Sequence, residues 1–506
     1  MKFNSKVVML LGLITILGIC VPSGTNAASI YDAWTKGPSK DPSYFMIGVW
    51  YQDSVYAPQY KALGINTYVV LGDSPSGMAT LKANGMTAVL SADDSASWTL
   101  LSDPAFTCWL LPDEPDNAQF TGLTITINGT KYSGFPAPGR IPPASIKSMY
   151  DQVKAADPTR PVHLGLSQGI ADSNWKGRGT MSDPGGWPVA YTTYNTGCDI
   201  TGFDIYPFVN SGIDYLWYQA LGLDNLKTIY GAGTKPIWNC FECTRVGSLT
   251  ASFPTAQAMR SEVFTSLIHG SMGIIWFVHE VAPRPFDSIA LLHNPTQSAA
   301  VKVINQQVAA LAPVLNTPSS VGKATATSST TVSIDIMAKE YNNYIYIFSA
   351  GMSNGSAVGT FRVNGLTGDS TAEVLGESRS VPVTNGRFID SFLAWDVHIY
   401  KISSGTGVAS TNPLDRVRNF PNPISLTSGN RKARFDSIAV TDAKINIYNS
   451  GGTLLKVLTD KDYLNPSTAE WDLKDTNGET VSAGIYYFVV EDSAGNKKKG
   501  KIALVK

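Results

Sequence analysis

The chain has 506 residues, of which 43% are hydrophobic and 16% are charged, and its formal net charge is −1. This length exceeds that of one typical domain, so two to three domains are expected, and the composition is that of ordered globular domains rather than of disordered chains. The balanced charge argues against nucleic acid or an anionic membrane surface as the main partner.

The N-terminus has the pattern of a secretory signal peptide over residues 1–27. Lys2 and Lys6 precede an apolar run from Val7 to Val21, and small residues follow, so we expect cleavage near Ala27. A membrane anchor is the alternative, but the apolar run is short for one, and no later stretch of the sequence is long and apolar enough to span a bilayer. The expected location is therefore secreted or at the cell surface of a bacterial-type cell.

Short apolar segments alternate with helix-like segments between residues 45 and 316. The apolar segments predict eight strands, at residues 45–52, 66–72, 87–93, 107–114, 161–167, 199–207, 235–242 and 271–278. They are almost continuously apolar, as strands buried on both faces are. Eight strands, each followed by a helix, predict a TIM barrel, which we assign to residues 28–316. The alternative, a doubly wound open sheet, would need a glycine-rich phosphate-binding loop after an early strand, and the sequence has none.

The remainder of the chain has the pattern of all-β structure. Residues 317–403 read as strands of alternating polarity joined by Asn/Gly turns, which predicts a small β-sandwich, and residues 404–415 read as a linker. Residues 416–506 carry the hairpin signals "NSGG", "DTNG" and "SAGN" and predict a second sandwich of immunoglobulin type. The predicted fold class is thus multidomain, with a TIM barrel followed by two β domains.

Four cysteines remain once Cys20 has left with the signal peptide. They are Cys108, Cys198, Cys240 and Cys243. They are too sparse for a disulfide scaffold, so buried thiols are the expectation, with one disulfide as the alternative outside the cell.

The candidate catalytic residues are acids at predicted strand ends, because TIM-barrel enzymes carry their catalytic groups at the C-terminal ends of the strands. The fourth predicted strand ends in Asp113 and Glu114, the sixth carries Asp204 and Tyr206, and the seventh ends in Glu242. Side chains alternate along a strand, so Glu242 shares a side with Trp238 and Cys240, which we expect to point inward. We therefore expect Glu114 and Glu242 to face each other across one cavity.

Two facing carboxyl groups suit glycoside hydrolysis. One protonates the leaving oxygen, and the other attacks the anomeric carbon and forms a covalent intermediate. Trp276 on the eighth strand would supply an apolar wall that stacks on a sugar, and Tyr206 would orient the nucleophile. Trp50, Asp204 and His279 are further candidates for substrate binding.

Four of these segments carry a family resemblance. "WLLPDEP", "FDIYP", "PIWNCFE" and "IIWFVHE", on the fourth, sixth, seventh and eighth predicted strands, resemble clan A of the glycoside hydrolases. The resemblance implies Glu114 as acid/base and Glu242 as nucleophile, with net retention of configuration. It also suggests Tyr206 beside the nucleophile and Trp276 beneath the sugar that is cleaved.

The sequence departs from this clan at Asp113. The clan commonly has asparagine before the acid/base, where it binds the 2-hydroxyl of the sugar. An ionised aspartate accepts that hydrogen bond but cannot donate one, so recognition at the 2-position is the property that this difference affects.

The C-terminal segment carries a second resemblance. The order "PNP", "INIYNSGG" and "WDLKDTNGETVSAGIYYF", followed by a basic turn and a final strand, resembles the FlgD-like immunoglobulin-type modules and the secretion-sorting tails. The resemblance implies secretion or cell-surface attachment machinery as the partner of this segment, and no part in catalysis.

Other chemistries find little support in the sequence. The five histidines are far apart and form no H-x-H or H-E-x-x-H pattern, so no metal and no other cofactor is expected. No G-x-S-x-G motif supports a catalytic serine. A catalytically silent barrel that binds polysaccharide is the main alternative function, and a deacetylase or lyase on the same barrel is a third.

Each candidate residue also has a purely structural interpretation. Glu114 would be favoured as an acid at a helix N-terminus, and Glu242 would form an ion pair with Arg245. Asp113 would cap a helix, and Tyr206 and Trp276 would be packed core aromatics.

Overall fold

The computed structural model describes most of the chain. The described residues are 29–137, 139–172, 187–208, 212–247, 252–404, 414, 417–420, 422–426, 432–436, 438, 442–465 and 467–505. The predicted signal peptide and nearly all of the predicted linker lie outside them. The chain divides into two compact units, residues 1–404 and 405–506, which are described separately.

Eight parallel strands form a closed barrel in the first unit. They are β1 (Met46–Gln52), β2 (Thr67–Leu71), β3 (Thr87–Ser91), β4 (Phe106–Leu110), β5 (Val162–Leu166), β6 (Ile200–Phe203), β7 (Trp238–Glu242) and β8 (Gly273–Phe277). Seven parallel pairings join the strands in the order β6-β5-β4-β3-β2-β1-β8-β7. The parallel bridges Thr201–Ile237 and Asp204–Cys240 join β6 to β7 and close the ring. The predicted barrel is confirmed by this strand order.

Helices follow the strands and surround them. Among the described residues, the α-helices are α1 (Ala57–Ala62), α2 (Met78–Ala83), α3 (Pro143–Ala156), α4 (Trp187–Thr196), α5 (Tyr218–Asp224), α6 (Ala256–Ile268), α7 (Ala290–His293) and α8 (Pro295–Leu315). A short hairpin, Ile125–Ile127 with Thr130–Tyr132, lies in the long loop after β4.

Both faces of the barrel strands are buried, which explains their continuous apolar sequence. The inner face packs a core along the barrel axis, made of Met46, Val69, Val89, Cys108, Leu110, Ile200, Trp238, Cys240 and Ile275. The outer face packs against the helices in a separate and larger core. Because the axis is filled, any ligand must bind above the packed layer, at the ends of the strands.

An eight-stranded antiparallel sheet follows the barrel. Its strands are Ala324–Ser328, Ile334–Tyr341, Tyr344–Gly351, Ala357–Val363, Asp369–Val374, Arg379–Thr384, Arg387–Phe392 and Val397–Ser403. The prediction of all-β structure is confirmed, although the strands belong to one continuous sheet where two separate sheets were expected. The pairings explain this. The strand Asp369–Val374 pairs with Val397–Ser403 on one side and with Arg379–Thr384 on the other, so it joins the strands on its two sides into one sheet.

This sheet packs against the barrel and shares its outer core. Met337, Tyr346, Phe348, Val397 and Ile399 belong to the same apolar cluster as the barrel helices. Polar contacts reinforce the seam.

The polar contacts at the seam involve helix α6 and the residue that follows it. The Gln257 amide donates to the Ala394 carbonyl and the Arg260 guanidinium donates to the Val397 carbonyl, both at 2.7 Å. His269 lies between two carboxylates, with Nδ1 2.9 Å from Asp224 of the barrel and Nε2 3.1 Å from Asp335 of the sheet. Burial lowers the pKa of His269, but these two hydrogen bonds and charges outweigh it and raise the pKa to about 9.

The second unit contains two further sheets around one core. Arg418–Phe420, Ala433–Asp436, Tyr463–Asn465 and Thr468–Trp471 form one sheet, and Ile424–Ser425, Lys444–Tyr448, Leu454–Leu458, Gly484–Glu491 and Lys497–Val505 form the other. Phe435, Trp471 and Phe488 lie in the core of this unit. The likeness to FlgD-like modules stays a prediction. In the described part of the chain, no helix has the length and apolarity needed to cross a membrane.

The seam between barrel and sheet predicts a pH-dependent loss of stability for His269→Gln. A histidine whose folded pKa is raised stabilises the fold fully below its unfolded pKa of about 6.5, and this contribution disappears as pH rises through the folded value. We expect His269→Gln to lower the free energy of unfolding by about 1 kcal/mol at pH 6 and by much less at pH 10, measured by urea unfolding. His293→Gln, at an exposed histidine that also contacts an aspartate, is the control. Equal losses at both pH values in His269→Gln would show that the charge of His269 between Asp224 and Asp335 does not stabilise the fold.

Candidate active site

A cavity of about 510 Å³ lies at the C-terminal ends of the barrel strands. Three carboxyl groups line it, Asp113 and Glu114 after β4 and Asp204 after β6. Aromatic rings form much of the remaining wall, namely Trp50, His163, Phe203, Tyr206, Trp238 and Phe277. A cavity that combines apolar walls with a few convergent polar groups at this end of a TIM barrel is the expected position of a ligand site.

A strained turn presents Glu114 to the cavity. Strand β4 ends at Leu110, earlier than predicted, and Glu114 adopts a φ of 42°. Hydrogen bonds hold the main chain on both sides: the Glu114 amide donates to the Gly165 carbonyl (3.1 Å), and the Glu114 carbonyl accepts from the Asn117 amide (3.0 Å) and the Gln119 side chain (3.1 Å). A left-handed conformation at a residue other than glycine costs of order 1 kcal/mol and is concentrated at functional sites.

Asp116 anchors this turn, and the sequence analysis did not single it out. Its buried carboxylate accepts hydrogen bonds from the Ser167 amide (2.9 Å), the Ser167 hydroxyl (2.7 Å) and the Tyr191 hydroxyl (3.0 Å). Burial raises the pKa of Asp116 to about 6 even though the Ser167 bonds oppose the shift. The bonds tie the turn after β4 to the end of β5. In the sequence the only signal was the second aspartate of "DEPD".

Asp204 and Glu114, which follow β6 and β4, are in hydrogen-bonding contact in the cavity. Burial raises the pKa of Asp204 well above that of an ordinary carboxyl, and the negative charges of Glu114 and Asp113 raise it further. Two carboxyl groups in contact cannot both ionise easily, so Asp204 keeps its proton more readily than an ordinary carboxyl does, and the protonated form donates to Glu114. The Oδ1 atom of Asp204 is buried and has no hydrogen-bond partner among the described residues, so a ligand hydroxyl would find an acceptor there.

Tyr206 lies beside Cys240. Its hydroxyl is 3.8 Å from the Cys240 sulfur, and its ring lies 5.3 Å from that of Phe277. Burial raises the pKa of both the phenol and the thiol, so both are neutral donors at the cavity wall. Cys240 points inward, as the strand alternation predicted.

Glu242 occupies a different position from the one expected. Its side chain is fully buried, its Oε1 accepts a hydrogen bond from the Phe208 amide at 2.6 Å, and it is not among the residues that line the cavity. Strand β7 ends at Glu242, so the alternation of the strand no longer fixes its direction, and a main-chain donor in the loop after β6 binds it instead.

A second carboxyl group lies behind Glu242. Glu262 of helix α6 is fully buried, forms a hydrogen bond with Glu242 and accepts one from the Gln219 amide at 3.4 Å. Burial raises the pKa of Glu262 strongly, and the charge of Glu242 adds to the shift. Glu262 therefore keeps its proton more readily than an ordinary glutamic acid does, and its protonated form donates to Glu242.

Trp276 and His279 also lie away from the cavity lining. Trp276 is fully buried and donates from Nε1 to the Asn305 side chain of helix α8 at 2.8 Å. Strand alternation explains this, because Ile275 and Phe277 on either side of it both line the cavity. His279 is only 4% exposed. The structure thus brings Trp50, Asp113, Glu114, Asp204 and Tyr206 together, without Glu242, Trp276 and His279.

The described residues show no arrangement of three or more His, Cys, Asp or Glu side chains that would hold a metal ion. Cys108, Cys198, Cys240 and Cys243 are all buried free thiols.

Comparisons with known proteins give a broad likeness only. No family model and no curated protein matches the sequence. The structure is similar to that of an α-amylase from Geobacillus thermoleovorans, with 9% identity over 73% of this chain and 99% of the other and a TM-score of 0.44. A GH42 β-galactosidase from G. stearothermophilus gives 8% identity over 73% and 99% of the two chains with a TM-score of 0.44. A GH30 endoxylanase from Clostridium papyrosolvens gives 12% over 72% and 97% with a TM-score of 0.37.

The buried pair behind β7 predicts an unusual effect of Glu262→Gln. A carboxyl whose folded pKa is raised keeps its proton in the fold after the unfolded chain has released it, so stability falls as pH rises above about 4.3. Glutamine still donates to Glu242 but does not titrate. We therefore expect Glu262→Gln to match the wild type near pH 4 and to exceed it in thermal midpoint by a margin that grows towards pH 8. Glu373→Gln, at an exposed glutamate, should show no such trend. A difference in thermal midpoint that does not change with pH would refute the raised pKa of Glu262.

Proposed function

We propose that this protein is a glycoside hydrolase that acts on a poly- or oligosaccharide, with Glu114 as its acid/base. The observation that carries the proposal is the contact between Glu114 and Asp204 inside an aromatic-lined cavity at the C-terminal end of a TIM barrel. Glycoside hydrolysis needs a carboxylic acid that keeps its proton beside an apolar wall, and the raised pKa of Asp204 in contact with Glu114 suits this pair to that role.

In the proposed reaction, the proton held by the pair passes to the glycosidic oxygen as the bond to the anomeric carbon breaks. In the second half, Glu114 accepts a proton from the attacking water, and the pair returns to its starting state. Asp204 is the residue that keeps the proton on the pair. Asp113 is the most exposed of the three acids and is proposed to bind sugar hydroxyls, with Trp50 and Phe277 as the apolar walls.

The proposal also assigns the nucleophile. Retaining enzymes place their two carboxyl groups about 5 Å apart, so Asp204, which touches Glu114, is too close to take that role. Glu242 at the end of β7 remains the proposed nucleophile, and retention of configuration depends on it. Attack would require its carboxylate to leave the Phe208 amide and turn towards the cavity.

The buried position of Glu242 also favours one alternative function. Among the described residues, the carboxyl groups that line the cavity follow β4 and β6, and a barrel with these alone would bind a polysaccharide without cleaving it. Export through the signal peptide, and secretion or attachment through the C-terminal module, are proposed for either function.

The proton pair predicts a change in the pH profile for Asp204→Asn. An asparagine donates to Glu114 and carries no charge, so the remaining acid should lose its proton at lower pH. We expect the alkaline limb of kcat/KM to move to lower pH and kcat to fall by about tenfold or more. The measurement is hydrolysis of the best substrate from pH 4 to 9. An unchanged alkaline limb would show that Asp204 does not share the catalytic proton.

The two-glutamate mechanism predicts distinct losses for two variants. Glu114→Gln should lower kcat at least about 100-fold, with a smaller effect on aryl glycosides whose leaving groups need no proton. Glu242→Gln should abolish turnover, and azide should restore it only in Glu242→Gly, where it fills the position of the lost nucleophile.

The measurement is release of reducing sugar and of nitrophenol from a panel of polysaccharides and aryl glycosides, with the product configuration followed by NMR. Activity that survives Glu242→Gln would exclude Glu242 as the nucleophile. Tight polysaccharide binding with no release from any substrate would establish the silent barrel instead.

A further inference from the structure

Three aromatic rings surround His279 at the edge of the cavity. The rings of Phe277, Phe286 and Tyr51 lie 5.2, 5.7 and 6.3 Å from the imidazole, and the last two meet it nearly edge-on. We call these four residues the rim cluster. Phe277 lines the cavity, whereas Tyr51 is 51% exposed and Phe286 is 67% exposed. The rim cluster therefore runs without a break from the cavity wall to the outer surface.

Hydrogen bonds hold His279, whose ring contacts both exposed rings. Gln52 is buried, and its amide nitrogen lies 2.8 Å from Nε2 of His279 and 2.6 Å from the Ser288 carbonyl, so it joins the end of β1 to the loop after β8. Tyr51 adopts a φ of 44°, and Val70, at the same level of the neighbouring strand β2, adopts a φ of 67°. Such values are strained, above all for a β-branched residue, and they end the regular alternation at the level where Tyr51 is exposed.

We propose that Tyr51 and Phe286 form a second sugar-binding subsite, on which the substrate chain continues where it leaves the cavity. An exposed aromatic ring buries apolar area against the C–H face of a sugar, and a fixed ring does so at little cost in side-chain entropy. Trp50, Val281 and Ala282, close in sequence to the two rings, line the cavity itself, so a chain that leaves it on this side passes the rim cluster.

The size of the exposed patch favours a sugar over a protein partner. A stable protein interface buries about 800 Å² on each side, far more than two rings offer. The inference rests on the proposed function and adds a binding position to it: the sugar chain is bound across both the cavity and its rim. In this proposal His279, a candidate for substrate binding from the sequence, supports the two rings.

The test compares long and short substrates in Tyr51→Ala and Phe286→Ala. The long substrates are soluble starch, xylan, mixed-linkage glucan and galactan, and the short ones are 4-nitrophenyl glycosides of single sugars. We expect KM for the polymer that the wild type cleaves to rise about threefold to tenfold in each variant, with kcat/KM on the aryl glycoside unchanged. Tyr344→Ala, at an exposed tyrosine of the eight-stranded sheet, should change neither.

Each outcome bears on a different claim. If the variants lose activity on short and long substrates equally, the rings have a structural role, and the subsite is refuted. If polymer and aryl glycoside kinetics both stay at wild-type values, the subsite is refuted while the proposed hydrolase stands. If the wild type neither cleaves any of these carbohydrates nor is retarded by the polymers in affinity electrophoresis, the proposed function itself fails, and the subsite fails with it.

Discussion

The central constraint in this molecule is that two carboxyl groups are held in hydrogen-bonding contact in a largely buried place. Asp204 and Glu114 come from different strands, so their contact exists only if both strand ends are fixed relative to each other. The barrel fixes β4, β5 and β6 through parallel pairing, and the turn after β4 is fixed by Asp116 and by the Gly165 carbonyl. The strain at Glu114 is maintained because bonds on both sides of it leave the main chain no other path.

The same motif occurs a second time, at Glu242 and Glu262, away from the cavity lining. Burying two acids is unfavourable unless one keeps its proton, and the surrounding donors here are an amide of the main chain and the side chain of Gln219. The Asn239 amide donates to Gln219 at 2.8 Å, so the network continues to the outer face of β7. In both pairs, low polarity selects the protonated form of one acid, and that form then acts as a hydrogen-bond donor to the other.

The sequence predicts the direction of a side chain well when its residue lies within a regular strand, and poorly when the residue lies at the end of a strand or in a loop. Continuous apolarity predicted all eight barrel strands, and alternation correctly placed Cys240 inward because it lies within β7. Glu242 is the last residue of that strand, so a local donor, the Phe208 amide, decides its direction. Trp276 is a different case: counting alternate residues from the inward Ile275 would have placed it outward. The rim cluster and Asp116 depend on contacts between loops, which no periodicity encodes.

Helix α6 connects features that otherwise look independent. It carries Glu262 towards the barrel, and on its other side Gln257 and Arg260 are bound by carbonyls of the eight-stranded sheet. The sheet also buries apolar side chains in the outer core of the barrel. A chain cut after residue 316 would thus lose the sheet that packs on one side of helix α6, and this helix supports the end of β7. The sheet is therefore not a separable accessory: because it shares a core with the barrel, the two form one compact unit and the sheet is part of the scaffold that holds helix α6.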